Sequence, residues 1–251
     1  MRGRTLVTFD VDGTLIRSCG PDANRLHLEA FERAFREVFG LQTGIHVVDH
    51  QGGTDPLLLL KVLEHHGADT ADFMEWLPAA QAAMCAHVAE GGAFGIEILP
   101  GVASLLEALQ ERTDVVFGLV TGNLQPIGWR KMEILGVLQH FPEPRMGGFG
   151  SDYCSGDTAN MTADRGELIR IARRRADEVY EDIGAHVHVG DTPFDLGAAK
   201  MAGARALGVA TGKYSVGELE AHLGEGEVLP DLCNLSRVLS AFGLGNNTLY
   251  D

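Results

Sequence analysis

Positive charge is scarce in this sequence. Twenty Lys and Arg stand against 35 Asp and Glu, giving a formal net charge of −15 and an isoelectric point near 5.0. That balance repels nucleic acid and anionic lipid, so neither a nucleic-acid partner nor a membrane is expected. The densest basic stretch, Arg173-Arg174-Arg175, reads as a solvated helix face. Cysteine is sparse too. Cys19, Cys85, Cys154 and Cys233 are scattered with no Cys-x-x-Cys pair, which excludes a disulfide scaffold and suits reduced thiols. No apolar run approaches the roughly 20 residues that cross a bilayer. Met1–Arg4 lead into a strand without the apolar segment and cleavage site of a secretory signal. Together these absences predict a cytoplasmic protein. Internal repeats and low-complexity tracts are missing as well.

What is present is enough apolar material for a large core: 251 residues, 45% hydrophobic, with a mean hydropathy of +0.02. Short apolar runs at Thr5–Asp10, Val115–Val120, Val187–Val189 and Ala204–Ala210 read as strands buried on both faces. Helical patterns lie between them at Val102–Leu109, Leu168–Ala176 and Phe194–Ala202. This alternation predicts an α/β fold, a Rossmann-like doubly wound parallel sheet. The glycine-rich connection Phe141–Thr158 holds a candidate edge strand near Met146–Phe149. Residues 17–97 differ, with a helical pattern throughout and no strand of the core type. Leu26, Ala30, Phe31 and Phe35 mark one amphipathic face, and Leu57–Leu63 and Trp76–Val88 suggest further helices. The predicted organisation is a core of residues 1–16 and 98–251 with an inserted helical cap of 17–97. "ILPGV" (Ile98–Val102) marks re-entry, and Gly13, Gly91, Gly92 and Gly95 are candidate hinges.

The chemistry is expected at strand ends. "LVTFDVDGTL" (Leu6–Leu15) closes an apolar strand on Asp10 and Asp12, and residues two apart along a strand project to one side. Ligands of open α/β sheets bind at the carboxyl ends of strands. Two carboxylates converging there repel unless a cation separates them or one keeps a proton. A hard divalent ion with oxygen ligands, Mg²⁺, is the natural solution. "VHVGDTPFD" brings Asp191 and Asp195 from another strand, with Gly190 allowing a tight turn. "LVTGN" (Leu119–Asn123) ends a third strand with Thr121 and the N–H groups of Gly122 and Asn123, suited to anionic oxygens. His65, His66, His186 and His188 read as packed or hydrogen-bonded residues, not metal ligands.

Asp-x-Asp-Gly-Thr-Leu after a strand, the Thr of "VTGN", a basic residue on a later helix and Gly-Asp-x-x-x-Asp, in this order, resemble the haloacid dehalogenase superfamily across essentially the whole chain. The helical insert resembles the cap of its phosphoglycolate phosphatases and β-phosphoglucomutases. The resemblance implies that Asp10 is a nucleophile forming an aspartyl phosphate. It makes Asp12 the general acid and then base, with its backbone carbonyl rather than its side chain on the metal. Thr121, Gly122 and Asn123 would hold phosphoryl oxygens, and Asp191 would bind Mg²⁺ directly. Asp195 would bind it or its waters. The family's usual lysine is absent. Arg165 in "TADRGELIRIA", ahead of a helix, is the expected substitute, since a guanidinium forks onto phosphate. Lys131 and Lys200 are its rivals. "HQGGTD" is the expected substrate-facing loop, with His50, Gln51, Thr54 and Asp55 as specificity candidates; helix capping competes for Thr54 and Asp55.

Asp12 separates the possible activities. The family's dehalogenases lack this second acid and the metal, so Asp12, Asp191 and Asp195 together point to phosphoryl transfer. The expectation is a Mg²⁺-dependent phosphatase for a small phosphorylated metabolite, with phosphoglycolate as first substrate to test. A phosphomutase is the alternative. A non-catalytic binding module would lack a core carboxylate, and none is missing.

Overall fold

The computed structural model describes residues 3–92, 94–223 and 226–245; Met1 and Arg2 of the expected leaderless start lie outside them. In chain order the elements are β1 (Arg4–Phe9), β2 (Ile16–Ser18), α1 (Arg25–Val38), α2 (Asp55–His65), α3 (Phe73–Glu90) and β3 (Ile96–Ile98). There follow α4 (Val102–Gln110), β4 (Val115–Thr121), α5 (Gln125–Ile134), β5 (Met146–Phe149), α6 (Met161–Val179) and β6 (Ile183–Gly190). The chain continues through α7 (Pro193–Ala202), β7 (Arg205–Val209), α8 (Val216–Leu223), β8 (Glu227–Leu229) and α9 (Leu235–Ala241).

Six strands form one parallel sheet in the order β5-β4-β1-β6-β7-β8. Alternation along each strand sends side chains to two helical layers. Val7, Phe9, Phe117, Leu119, Val187 and Val189 pack with Leu105, Met132 and Val238 of α4, α5 and α9. On the other face Val120 meets Leu168, Ala172 and Ala198 of α6 and α7. The doubly wound α/β fold is as the sequence pattern predicts. The pairing register sets Phe9 beside Leu119 and Val189, so β1, β4 and β6 end together and bring Asp10, Thr121 and Asp191 to one edge. β5 is the edge strand expected at Met146–Phe149.

Helices α1, α2 and α3 bury a second apolar cluster. It includes Phe31, Phe35, Leu59, Leu63, Leu77 and Met84, joined by Leu124 and Ile127 from the start of α5. This block therefore rests on the core beside the end of β4. Its ends depart from the expected all-helical pattern. Ile16–Ser18 pairs antiparallel with Ile96–Ile98, and Arg17 Nε donates to Glu97 Oε1 at 2.6 Å across the ribbon. Both boundaries drawn from sequence, 16/17 and 97/98, cut through this ribbon. Three-residue strands carry too few residues to show a period of two, which is why they escape a sequence reading.

Candidate active site

β1 ends at Phe9; past Asp10 the chain bends at Val11, bridges to Ile16 at Asp12 and turns over residues 13–15. The Asp10 N–H still donates to Val189 O at 2.9 Å. Val11 then turns its carbonyl into the loop, accepting the N–H groups of Leu15 and Ile16 at 2.9 and 3.1 Å, while its side chain is buried. Gly13 has φ +97°, and a Cβ there would strike the Asp191 carboxylate. The expected hinge is thus a point of close packing that no larger residue can occupy. Gly212, after β7, meets Asp191 from the other side in the same way. Thr14 Oγ1 donates to Asp191 Oδ1 at 3.1 Å.

Thr121 ends β4, and its hydroxyl accepts the Asn123 N–H at 3.2 Å. Thr192 caps α7. It receives the Asp195 N–H at 3.2 Å while Asp195 Oδ2 accepts the Thr192 N–H and hydroxyl at 3.0 and 2.7 Å, a reciprocal box that fixes both residues. A cavity of about 450 Å³ opens above these strand ends, between them and the helical block. Asp10, Asp12, Thr121, Gly122, Asn123, Arg165 and Asp191 form its floor.

Asp10 and Asp12 are held by different side-chain cations. Arg165, buried in the second turn of α6, donates through Nη2 to Asp10 Oδ1 and through Nε to Asp195 Oδ1, the latter at 2.5 Å. The helix begins at Met161, so Arg165 lies inside it rather than ahead of it as its sequence context suggests. Lys131, fully buried on α5, donates from Nζ to Asp12 Oδ1 and Oδ2 at 2.8 and 2.7 Å. Lys200 is exposed.

Burial pushes the Asp10 carboxyl well above the carboxylate range; Arg165 opposes this, and Asp195, Asp191 and Asp12 add to it. Burial, reinforced by Asp195, pushes Asp191 up to about 7. Burial would raise Asp12 also, but the Lys131 ammonium, with His27, holds it below its ordinary value. Burial would raise Asp195 too, but Arg165, His188 and Thr192 together outweigh it and hold the carboxyl low.

Asp10, Asp191 and Asp195 each offer an oxygen, all within 4.8 Å of one another, and all three are buried. Such a donor set suits a hard divalent cation. With all four ionised, these carboxylates exceed the two side-chain cations paired with them, Arg165 and Lys131, by two charges, which one such ion would meet; without it, protonation of Asp10 and Asp191 serves the same end. The oxygens of Asp195 already accept Arg165 and Thr192, so Asp10 and Asp191 have the more open lone pairs. The Asp12 carboxylate stands outside this triangle.

The "HQGGTD" loop is docked on the same site. Arg165 Nη1 donates to Gly52 O at 3.4 Å, and the Asp55 N–H donates to Gly122 O at 2.8 Å. Asp55 Oδ2 accepts the Leu124 N–H at 2.9 Å and lies 3.1 Å from His27 Nε2. Asp55 therefore ties the helical block to the loop after β4 instead of capping α2. His50, Gln51 and Asp55 line the cavity; Thr54 does not. Thr54 makes no side-chain cap, and its buried hydroxyl has no partner among the described residues.

Sequence reasoning missed Thr14, His27 and the loop Thr211–Lys213, which also lines the cavity, and it offered Lys131 only as a rival to Arg165, not as the partner of Asp12. Lys131 did carry a signal. It shares the buried face of α5 with Ile127, Gly128 and Met132, and a lysine on an apolar helix face demands a buried partner.

A family model described as a haloacid dehalogenase-like hydrolase matches residues 5–203. The chain belongs to this family of hydrolases and is an enzyme of that class. Among solved structures it is similar to a hydrolase from Pseudomonas syringae (21% identity, 95% of this chain and 98% of that one, TM-score 0.57). It is also similar to CbbY from Rhodobacter sphaeroides, solved in complex with phosphate (21% identity, 93% and 96%, TM-score 0.59). A β-phosphoglucomutase from Clostridium difficile matches at 14% identity over 97% and 98%, TM-score 0.56. These likenesses show the fold. No curated protein matches in sequence. None of the described helices is long and apolar enough to cross a membrane.

Proposed function

We propose that the protein is a Mg²⁺-dependent phosphatase that hydrolyses a small phosphorylated metabolite through an aspartyl phosphate on Asp10. The observation that carries this reading is the division of labour between the first two aspartates. Asp10 is buried and bridged by Arg165 within the carboxylate triangle, while Asp12 faces the cavity outside it with its side chain 39% exposed.

The Asp10 carboxylate attacks phosphorus and the bond to the ester oxygen breaks, leaving phosphate on Asp10. Asp12, which Lys131 keeps ionised in the free protein, takes up a proton as the anionic ester binds beside it and gives that proton to the departing oxygen. A water then attacks phosphorus as Asp12 takes its proton, the Asp10–phosphorus bond breaks, and inorganic phosphate leaves. Arg165, the Thr121 hydroxyl and the N–H groups of Gly122 and Asn123 orient the phosphoryl oxygens. Asp10, Asp191 and the Asp12 backbone carbonyl would hold Mg²⁺, with Asp195 supporting through Arg165 or bound water. The ion supplies charge that lets an anionic nucleophile approach an anionic phosphate. Residues 17–97 act as the specificity cap, with His50, Gln51 and Asp55 nearest the ester group. The carboxylates and cations that shape this cavity suit a compact anionic metabolite, and phosphoglycolate is the first to test. A cytoplasmic setting fits such a substrate.

Phosphate release from p-nitrophenyl phosphate and a panel of phosphate monoesters, with Mg²⁺ and with EDTA, tests the proposal. Release that requires Mg²⁺ supports it. Absence of release from every ester, or release indifferent to EDTA, overturns it. Transfer to a sugar hydroxyl in place of water would mark a phosphomutase.

A further inference from the structure

Lys131 lies outside every motif that defines the site, yet it is fully buried and spends two donors on one carboxylate. A purely structural role explains it poorly. Its partner Asp12 keeps its side chain 39% exposed toward the cavity, so the fully enclosed charge of the pair is the lysine and not the acid. The position itself, beside Ile127 and Met132, would accept a methionine. Burying an ammonium is costly, and an apolar residue of similar volume is commonly as stable or more so. What only a lysine supplies here is a two-pronged hold on both oxygens of Asp12. Helix α5 fixes its backbone, and the apolar layer around Met132 leaves its stem little freedom.

We propose that Lys131 is a positioning residue: its fork on Asp12 keeps that carboxylate out of the Asp10–Asp191–Asp195 triangle and aimed into the cavity, where a leaving oxygen would lie. Without the fork nothing fixes the Asp12 side chain in that orientation, and the proton donor is lost from its station. This inference rests on the phosphatase reading, because it assigns a helper to that reaction's general acid.

Leaving-group dependence tests it. p-Nitrophenolate departs without a proton, whereas the alkoxide of an alkyl phosphate needs one. The measured quantity is kcat/KM, which covers every step up to leaving-group departure; the later hydrolysis step is common to both esters. For Lys131→Met the alkyl ester should lose on the order of 100-fold in kcat/KM, the size of a general-acid contribution. The aryl ester should lose less than about 10-fold, since the acid is not needed for it. In an Asp12→Asn background, adding Lys131→Met should leave the aryl-to-alkyl ratio of leaving-group release in a single turnover unchanged. Lys131→Arg, which keeps the charge but changes the reach, should shift the ratio in the same direction by a smaller factor, and it carries the comparison if the methionine variant does not fold. Parallel losses for both esters would mean a structural role and would overturn the proposal alone. Failure of the unmodified protein to hydrolyse either ester would overturn the phosphatase reading and the proposal with it.

Discussion

Arg165 reaches Asp10 from the second turn of α6 and holds it by a charged hydrogen bond, with Asp195 on its other edge. The guanidinium thus joins the end of β1 to the start of α7, two segments whose carboxylates would otherwise repel. Burial works against its charge, but the facing carboxylates dominate and raise its pKa further. Arg165 is therefore always protonated in this site.

Removing that charge should damage catalysis severely. Arg165→Ala leaves two buried carboxylates, Asp10 and Asp195, without their shared donor, and kcat/KM for a phosphate ester should fall by about 100-fold or more. Arg165→Lys should recover only part of this, because an ammonium cannot span Asp10 and Asp195 as a planar fork does. Steady-state kinetics of the three proteins decide the matter. Unchanged turnover in the alanine variant would remove Arg165 from the phosphate site.

Metal binding should depend on pH through Asp191. Its folded pKa, about 7, is above its ordinary 3.8. Between those values the folded protein holds a proton that the unfolded chain has released, so without metal this group's contribution to stability falls as pH rises through that window. A cation needs the ionised carboxylate. Mg²⁺ affinity should therefore rise with pH from 5 through about 7, with proton release on binding across that range, and the raised Asp10 carboxyl adds to the same trend. Titration calorimetry in buffers of different ionisation enthalpy measures both effects. Affinity that stays flat across this range would contradict the assignment.

The opposite sign applies to His186. Its ring nitrogen Nε2 lies 2.9 Å from Thr8 Oγ1, which is also 3.1 Å from His188 Nδ1. Burial, with His188 and Arg173 nearby, depresses its pKa to about 3 from an ordinary 6.5. The unfolded chain takes up this proton first, so the stabilisation is complete above about pH 6.5 and erodes as pH falls toward 3. By pH 5 the loss is on the order of 2 kcal/mol, or roughly 5 °C in Tm. His186→Gln should shrink the Tm difference between pH 7 and pH 5 by about that amount; an unchanged difference would contradict the burial of a neutral ring.

The parts of this site written in short local patterns were legible in the sequence. Asp10, Thr121 and Asp191 each follow an apolar strand within one or two residues, and parallel pairing brings such ends together. The partners of Asp12 and Asp55 were not legible. Lys131 meets Asp12 across 119 residues, and His27 and Leu124 meet Asp55 from two different segments; no local pattern encodes those contacts. Asp55 illustrates the limit well. Its place before Pro56 makes it look like a helix cap, but tertiary contact turned its carboxylate to the core. The strand-based argument for Asp10 and Asp12 assumed a continued strand, whereas β1 ends at Phe9 and a bend at Val11 separates the two acids.

The central claim, covalent chemistry at Asp10, is tested most directly by a crystal structure of the protein trapped with Mg²⁺ and beryllium fluoride. The account predicts a fluoride adduct bonded to an Asp10 carboxylate oxygen, contacted by Arg165 and Thr121, with one metal ion between Asp10 and Asp191. An adduct on any other residue, or a cavity that binds neither mimic nor ion, would contradict it.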